Sequence, residues 1–358
     1  MLSTGKQNSI VGLDVEAGSV AAAEVAADGR SVSQVAIAPL EGGLIREGEV
    51  VDPAALSEAL RGLFSDHKLS KSVRLGVANQ RVAVRTMRLP LIEDPQELET
   101  AVRFQAQEQL PMPLDQAVLD HQVVSHYSGE DGSRGIEVIA VAARRDMLGT
   151  LLGAVRGAGL RPVGIDLSAF ALIRGLAADT AESGDPEQTG EGGVQPAVMY
   201  CNLGDVTNLA VARGSSCVFT RISPYGVEAI AQRLAERRTL ALDHARQWLV
   251  HVGLEKPTLE IEGDSEVIAA TRETLEEGAS KLADELRLSL EFHGAQEGAP
   301  PVERIVVTGP GSTIPGLTDR LQSGLGQPFS IARPSALSEL GDAAAARLTV
   351  SYGLALEE

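Results

Sequence analysis

The sequence predicts an α/β protein built from two similar halves, with a small α+β module set into the first half. Three observations predict it. Strand-length apolar runs alternate with segments of helical apolar spacing along most of the chain. A β-turn-β device occurs twice: Asp14-x-Glu16-x-x-Ser19 closes the first apolar run of one half, and Asn202-x-Gly204-x-x-Thr207 closes the first run of the other, with counterparts 188 residues apart (202 − 14 and 207 − 19). The 358 residues, 44% of them hydrophobic, suffice for two packed domains.

The elements follow in order. Ile10 to Val15 and Val20 to Ala26 are apolar runs around the Glu16-Ala17-Gly18-Ser19 turn, and Asp28-Gly29 turns the chain into a third strand, Ser31 to Ala38. Asp52-Pro53 opens a helix carrying Ala55, Leu56, Ala59, Leu60 and Leu63 on one face, and Val73 to Ala78 reads as a buried strand. The module begins with the alternating run Val82 to Leu89. Asp94-Pro95 starts its helix, which stops at Leu110-Pro111-Met112-Pro113, because proline bars the residue before it from the α region. Val118 to Val124 and Ile136 to Ala142 are strands, and Met147 to Ala158 is a helix closed by Gly159. After Val163 to Leu167 and a further helix, the second half repeats the opening with Ala197 to Leu203, Thr207 to Ala212 and Cys217 to Ile222. Helices at about 227–237 and 242–253, a long one near 275–293, a strand Arg304 to Thr308 and a helix Ile314 to Leu325 after the Gly309-Pro310-Gly311-Ser312 turn complete it.

This reading divides the chain into a first domain (1–81 and 160–180), the inserted module (82–159), a flexible acidic loop (181–196), a second domain (197–341) and a C-terminal helix packing back on the first domain (342–358). Thirty-one Lys and Arg against 49 Asp and Glu give a net charge of −18, which repels phosphate backbones and anionic lipid, so no nucleic-acid partner and no membrane insertion are expected. Met1 to Ser9 lacks the apolar core of a secretion signal, and no run of 18 apolar residues exists. Cys201 and Cys217 have no metal or redox spacing and read as reduced core residues; no metal ligand and no catalytic residue is assigned.

The two turns can clasp a phosphate chain between them. Small residues let backbone N–H groups approach the oxygens, and a carboxylate holds a hydrated Mg²⁺. The Gly309 to Ser312 turn adds a third contact.

At these residues the chain resembles the actin-like ATPase superfamily, and within it the PilM family of type IV pilus assembly proteins. The resemblance runs from about Ile10 to Leu356 through Val11-Gly12-Leu13-Asp14-Val15, Glu108-Gln109-Leu110-Pro111-Met112-Pro113, Val141-Ala142-Ala143-Arg144, Ala158-Gly159-Leu160-Arg161-Pro162, Asn202-Leu203-Gly204, the helix run Glu285 to His293, Val307-Thr308-Gly309-Pro310-Gly311 and Tyr352-Gly353-Leu354-Ala355-Leu356. It implies a duplicated actin-like (ribonuclease H-like) ATPase fold, whose subdomain 1A carries the inserted 1C-like module. It implies ATP or ADP with Mg²⁺ as the nucleotide, held by Asp14, Gly18, Ser19, Asn202, Gly204, Asp205, Thr207, Glu285, Ser289, Gly309, Gly311 and Ser312. The chain departs from the family's pattern at five places. Glu16 replaces a turn glycine, Ala21 a lysine, Asn202 an aspartate and Leu288 an arginine, while Pro310 removes a backbone donor from a glycine triplet. Weak or vestigial ATP binding and no appreciable hydrolysis are therefore expected.

The function so implied is a cytoplasmic scaffold, peripheral at the inner membrane, that binds the N-terminal cytoplasmic tail of a bitopic PilN-like protein and links the platform to the pilus motor ATPase. Val84, Arg85, Leu89, Pro111 and Met112 are placed at its partner groove by the resemblance and by their position in the module. Arg85 reads equally as a solvated strand residue, and Pro111 as a helix stop. Two alternatives stand beside it. A sugar-kinase-like enzyme of the same superfamily needs intact phosphate turns and an acidic base in the cleft. An FtsA-like division or filament protein shares the inserted module but ends in a basic amphipathic helix, where this chain ends Leu356-Glu357-Glu358.

Overall fold

The computed structural model describes residues 9–26, 31–128, 133–181, 197–296 and 298–356. The acidic segment read at 181–196 lies, but for its first residue, outside the described residues. The chain opens with an antiparallel meander of β1 (Val11–Val15), β2 (Ser19–Val25) and β3 (Val32–Pro39), followed by a short hairpin of β4 (Ile45–Arg46) and β5 (Glu49–Val50). Helix α1 (Pro53–His67) starts where the sequence places it. The Asp52 carboxylate accepts from the Ala54 and Ala55 N–H groups at 3.1 and 3.0 Å, and Pro53 stands where no N–H is needed. β6 (Ser72–Val77) then pairs parallel to β1.

The module follows as β7 (Val82–Pro90), α2 (Pro95–Gln109), β8 (Ala117–Ser128) and β9 (Arg134–Arg144), an antiparallel sheet in the order β7-β9-β8. Its own core holds Ala83, Met87 and Leu89 of β7 against Val102 and Ala106 of α2. α3 (Arg145–Gly157) corrects the boundary drawn at 159. Its Met147, Leu151 and Val155 belong to the first domain's core, and its Ala154 carbonyl accepts from Ser57 of α1 at 2.8 Å, so the module ends with β9.

β10 (Arg161–Leu167) joins β6 in parallel and α4 (Ser168–Ala181) follows. The second half repeats the first. β11 (Ala197–Leu203), β12 (Thr207–Arg213) and β13 (Ser216–Ser223) form the meander, and α5 (Val227–Arg238), α6 (Leu242–Val252) and α7 (Ser265–Gly294) occupy the place of α1. β14 (Val302–Thr308), α8 (Leu317–Leu325), β15 (Phe329–Ile331) and α9 (Asp342–Ala355) close the chain. The sheet orders, β3-β2-β1-β6-β10 and β13-β12-β11-β14-β15, are the same order of counterparts. The duplication inferred from two short turns thus extends to whole sheets.

α4 and α9 are counterparts and pack against each other, with α9 also lying on β1 and β2. The approach is backbone to backbone: a Cβ on Gly353 would stand 1.9 Å from the Ala171 carbonyl oxygen, and one on Gly12 1.9 Å from that of Ser351. The inner face of the second sheet, with Tyr200, Ala210 and Val306, joins the first domain's core, so the two domains share one apolar interface. Both hairpin turns lie at one end of that interface.

Candidate functional site

The turn after β1 and the turn after β11 touch. The Ala17 N–H donates to Oδ2 of Asp205 at 3.0 Å, and in the opposite direction Nδ2 of Asn202 donates to Oε1 of Glu16 at 3.2 Å. Gly204 is needed beneath this crossing, since a Cβ there would stand 2.1 Å from the Glu16 Oε1. Gly18 lies under the guanidinium of Arg246 on α6, 3.1 Å from the nearest atom to its Cβ position. Arg246 is fixed from behind by Glu228 of α5, two bonds of 2.8 and 2.6 Å, and by Asp243. On the other side Nη1 of Arg347, on α9, donates to the Ser19 hydroxyl at 2.9 Å. The Thr207 hydroxyl donates to the Tyr225 carbonyl at 2.7 Å.

Three carboxyl groups crowd this junction. Burial pushes Asp14 up to about 7, with the Asp205 charge adding to it. Burial pushes Asp205 up to about 6, against the N–H bonds from Ala17 and Val206 that favour its charged form. Glu16 is raised well above the ordinary range by burial, then by Asp205 and Asp14, while Arg347 and the Asn202 amide pull the other way. The cavity they enclose with Asn202 and Asn208 measures about 30 Å³. Asn208 faces it with both amide atoms lacking a hydrogen-bond partner.

The third turn meets the second. Gly309 (φ +83°) approaches Asn202 so closely that a Cβ would stand 2.1 Å from its Oδ1, and Gly311 lies against Leu203. Ser312 donates to the Gly309 carbonyl at 2.6 Å and accepts from Arg333 at 2.8 Å. The structure therefore brings together Asp14, Gly18, Ser19, Asn202, Gly204, Asp205, Thr207, Gly309, Gly311 and Ser312. It does not bring Glu285 and Ser289 to them. Those two hold Arg221 on β13, by an ion pair at 3.2 Å and a hydrogen bond at 2.7 Å, and β13 is the sheet edge separated from β14 by two strands. The sequence reading placed them by their helix motif, and their partner strand was not visible in it. Arg246, Arg347 and Asn208 were missed because only the tertiary fold brings them near the turns.

A larger groove of about 380 Å³ opens between the module and both domains. Val82 to Arg85 of β7 and Thr220 to Ile222 of β13 line it, with Pro111. Consecutive residues of a strand point to opposite faces, so a groove lined by consecutive residues runs along strand edges. β7 and β13 are both edge strands. Of the residues read as partner-binding, Val84, Arg85 and Pro111 line this groove. Leu89 does not: it is 7% exposed in the module core, and Met112 packs against the same core. The alternation of β7 is as read, but Leu89 shares the inward face of Ala83 and Met87.

A family model for the type IV pilus assembly protein PilM matches residues 12–358. The chain belongs to the PilM family. Among solved structures, a PilM-PilN type IV pilus biogenesis complex superposes with a TM-score of 0.78 at 26% identity, covering 97% of each chain. MreB5 of Spiroplasma citri bound to ADP gives 0.55 at 13% identity over 97% of this chain and 95% of that one. The ethanolamine utilization protein EutJ from Carboxydothermus hydrogenoformans gives 0.52 at 14% over 97% and 88%. The last two establish the actin-like fold alone.

The resemblance to the PilM family implies Mg²⁺ and nucleotide between the turns, and the residues present do not fit that group. The Glu16 carboxylate stands between the hairpins, bonded to Asn202. The 30 Å³ beside it admits two or three water-sized occupants at roughly 10–15 Å³ each, not a chain of phosphates. Ala21, where the PilM pattern has lysine, is buried in a cluster with Leu348 and Tyr352 of α9.

Proposed function

We propose that this chain is a scaffold at the cytoplasmic face of a type IV pilus inner-membrane platform, that it holds the N-terminal tail of a PilN-like membrane protein in the groove between β7 and β13, and that it works without ATP turnover. The observation that carries this is the groove itself: about 380 Å³ opening where two edge strands, β7 and β13, come together, in a PilM-family chain. An extended tail gains main-chain bonds from such an edge and specificity from side-chain pockets, here walled by Val82, Val84 and Ile222. The family's solved relative in complex with PilN supports the choice of partner. Cytoplasmic segments beside a membrane span carry excess Lys and Arg, and a chain of charge −18 draws them in. Among the described residues no helix is long and apolar enough to cross a membrane, so attachment in this reading is through the partner.

The test is a titration of a labelled PilN-like tail peptide against wild type, Val84→Asp and Ile222→Asp, with thermal melts of each. A charge in the groove lowers affinity by roughly tenfold or more, about 1.4 kcal/mol, with the melts still cooperative. Equal affinity for all three proteins moves the tail to another surface.

A further inference from the structure

The junction of the two turns is already filled by an acceptor group, and it is part of the chain. Glu16 projects from the first domain's hairpin into the second domain, where Asn202 donates to it at 3.2 Å and Gly204 leaves room for it. Arg347 lies on its first-domain side and favours its charged form, while burial, Asp205 and Asp14 together favour the protonated one. Asp205 reaches back in the other direction to the Ala17 N–H at 3.0 Å. Each domain thus inserts one carboxyl group into the other at the same place. Arg246, braced by Glu228 and Asp243, closes the remaining side over Gly18.

We infer that the Glu16 carboxyl group occupies the place of a bound phosphate group, and that as a hydrogen-bond acceptor it latches the two domains in their closed arrangement without nucleotide. A ligand that bridges two domains stabilises their closure by binding both at once. A side chain of one domain that bonds the other does the same, with no ligand to lose and no dependence on its concentration. The small cavity fits this, because a latch needs no vacancy for a phosphate chain. The latch also reaches the groove. β13 lines one wall and belongs to the second domain, while β7 and Val77 of β6 line the other, so fixing the domains fixes the groove's width.

The experiment is amide hydrogen exchange and fluorescent Mg·ADP titration on the full chain, comparing wild type with Glu16→Gly, Glu16→Gln and Asn202→Ala. Wild type exchanges slowly over 14–20 and 202–208, and Mg·ADP changes nothing. Glu16→Gly exchanges about tenfold faster in both segments and gains saturable Mg·ADP binding that slows exchange again. Glu16→Gln keeps an acceptor for Asn202 and stays slow and blind to nucleotide. Asn202→Ala removes the latch from the other domain and speeds exchange in both segments, which keeps the test decisive if Glu16→Gly does not fold. Saturable Mg·ADP binding by wild type, or exchange unchanged in Glu16→Gly or Asn202→Ala, overturns the inference. Tail affinity is not a readout of this test, so it stands or falls apart from the scaffold reading.

Discussion

The Ala17 N–H donates to the carboxylate of Asp205, 3.0 Å away and 188 residues along the chain. That interval is the offset of the internal repeat, so the two residues are counterparts in the two hairpins. Glu16 and Gly204 form the next pair of counterparts, and the Glu16 carboxylate lies over Gly204. A duplicated turn has become asymmetric at its centre: one copy supplies a side chain and the other the space for it. A glutamate in both copies would collide, and a glycine in both would leave a gap between the domains.

The crowded carboxyl groups make stability depend on pH. The folded-state pKa of Asp14 is raised, from 3.8 to about 7, so its contribution is complete below about pH 4 and is lost as pH rises through 7. The groups that set this balance are Asp205 and Glu16, Arg347 facing Glu16, and the Arg246–Glu228 pair facing Asp205. Asp14→Asn removes the charge that must be buried at high pH. Its melting temperature relative to wild type is expected to rise between pH 5 and pH 8, by about 2–4 °C for each kcal/mol recovered. Parallel melting curves across that range would contradict the assignment.

The Arg246–Glu228 pair is nearly buried, with side chains 19% and 11% exposed. Truncating Glu228 leaves Arg246 with only Asp243, whose side chain is largely exposed, as its anionic partner. Glu228→Ala is expected to cost about 3 kcal/mol, whereas the exposed pair Arg238–Glu266 costs at most about 1 kcal/mol when Glu266→Ala is made. Chemical denaturation of the two variants side by side measures the difference, and equal losses would mean that Asp243 alone suffices to hold Arg246.

Gly353 carries the contact between α4 and α9. Gly353→Ala places a methyl group 1.9 Å from a backbone oxygen that no rotamer change can move. It is expected to cost about 1–3 kcal/mol, and Gly62→Ala, at a site with nothing within 4 Å on a helix, to cost nothing. Thermal melts of both variants check the pair.

Leu89→Asp and Val84→Asp lie five residues apart on β7, hence on opposite faces, and have different outcomes. Aspartate at Leu89 is an unpaired charge inside the module core and lowers stability. Aspartate at Val84, half-buried in the groove wall, costs less stability than at Leu89 and weakens tail binding. Selective loss of binding in a normally stable Leu89→Asp would show that the module core is wrongly described.

The fold was legible wherever one element states itself. The Asp52-Pro53 and Asp94-Pro95 caps marked helix starts to the residue, and the 188-residue offset revealed the duplication. α7 was read from near Leu275 because Thr271 and Thr274 interrupt its apolar stripe. In the structure each is buried, its hydroxyl donating 2.7 Å back to the carbonyl four residues earlier, so it behaves as an apolar residue of the helix. The alternation of Val82 to Leu89 gave two faces without saying which one faces inward, and this misplaced Leu89. Glu16 was visible as the replacement of a turn glycine. Its partner in Asn202 was not, because a bond across 186 residues has no local signature.

The central claim is that the groove at the two edge strands receives the partner's tail. Hydrogen exchange of the full chain with and without a saturating PilN-like tail peptide tests it most directly. The account predicts slowed exchange in the amides of Val82 to Arg85 and Thr220 to Ile222, with no comparable change on β3 or β15 at the outer edges of the two large sheets. Protection confined to those outer edges, or no protection at saturation, would contradict it.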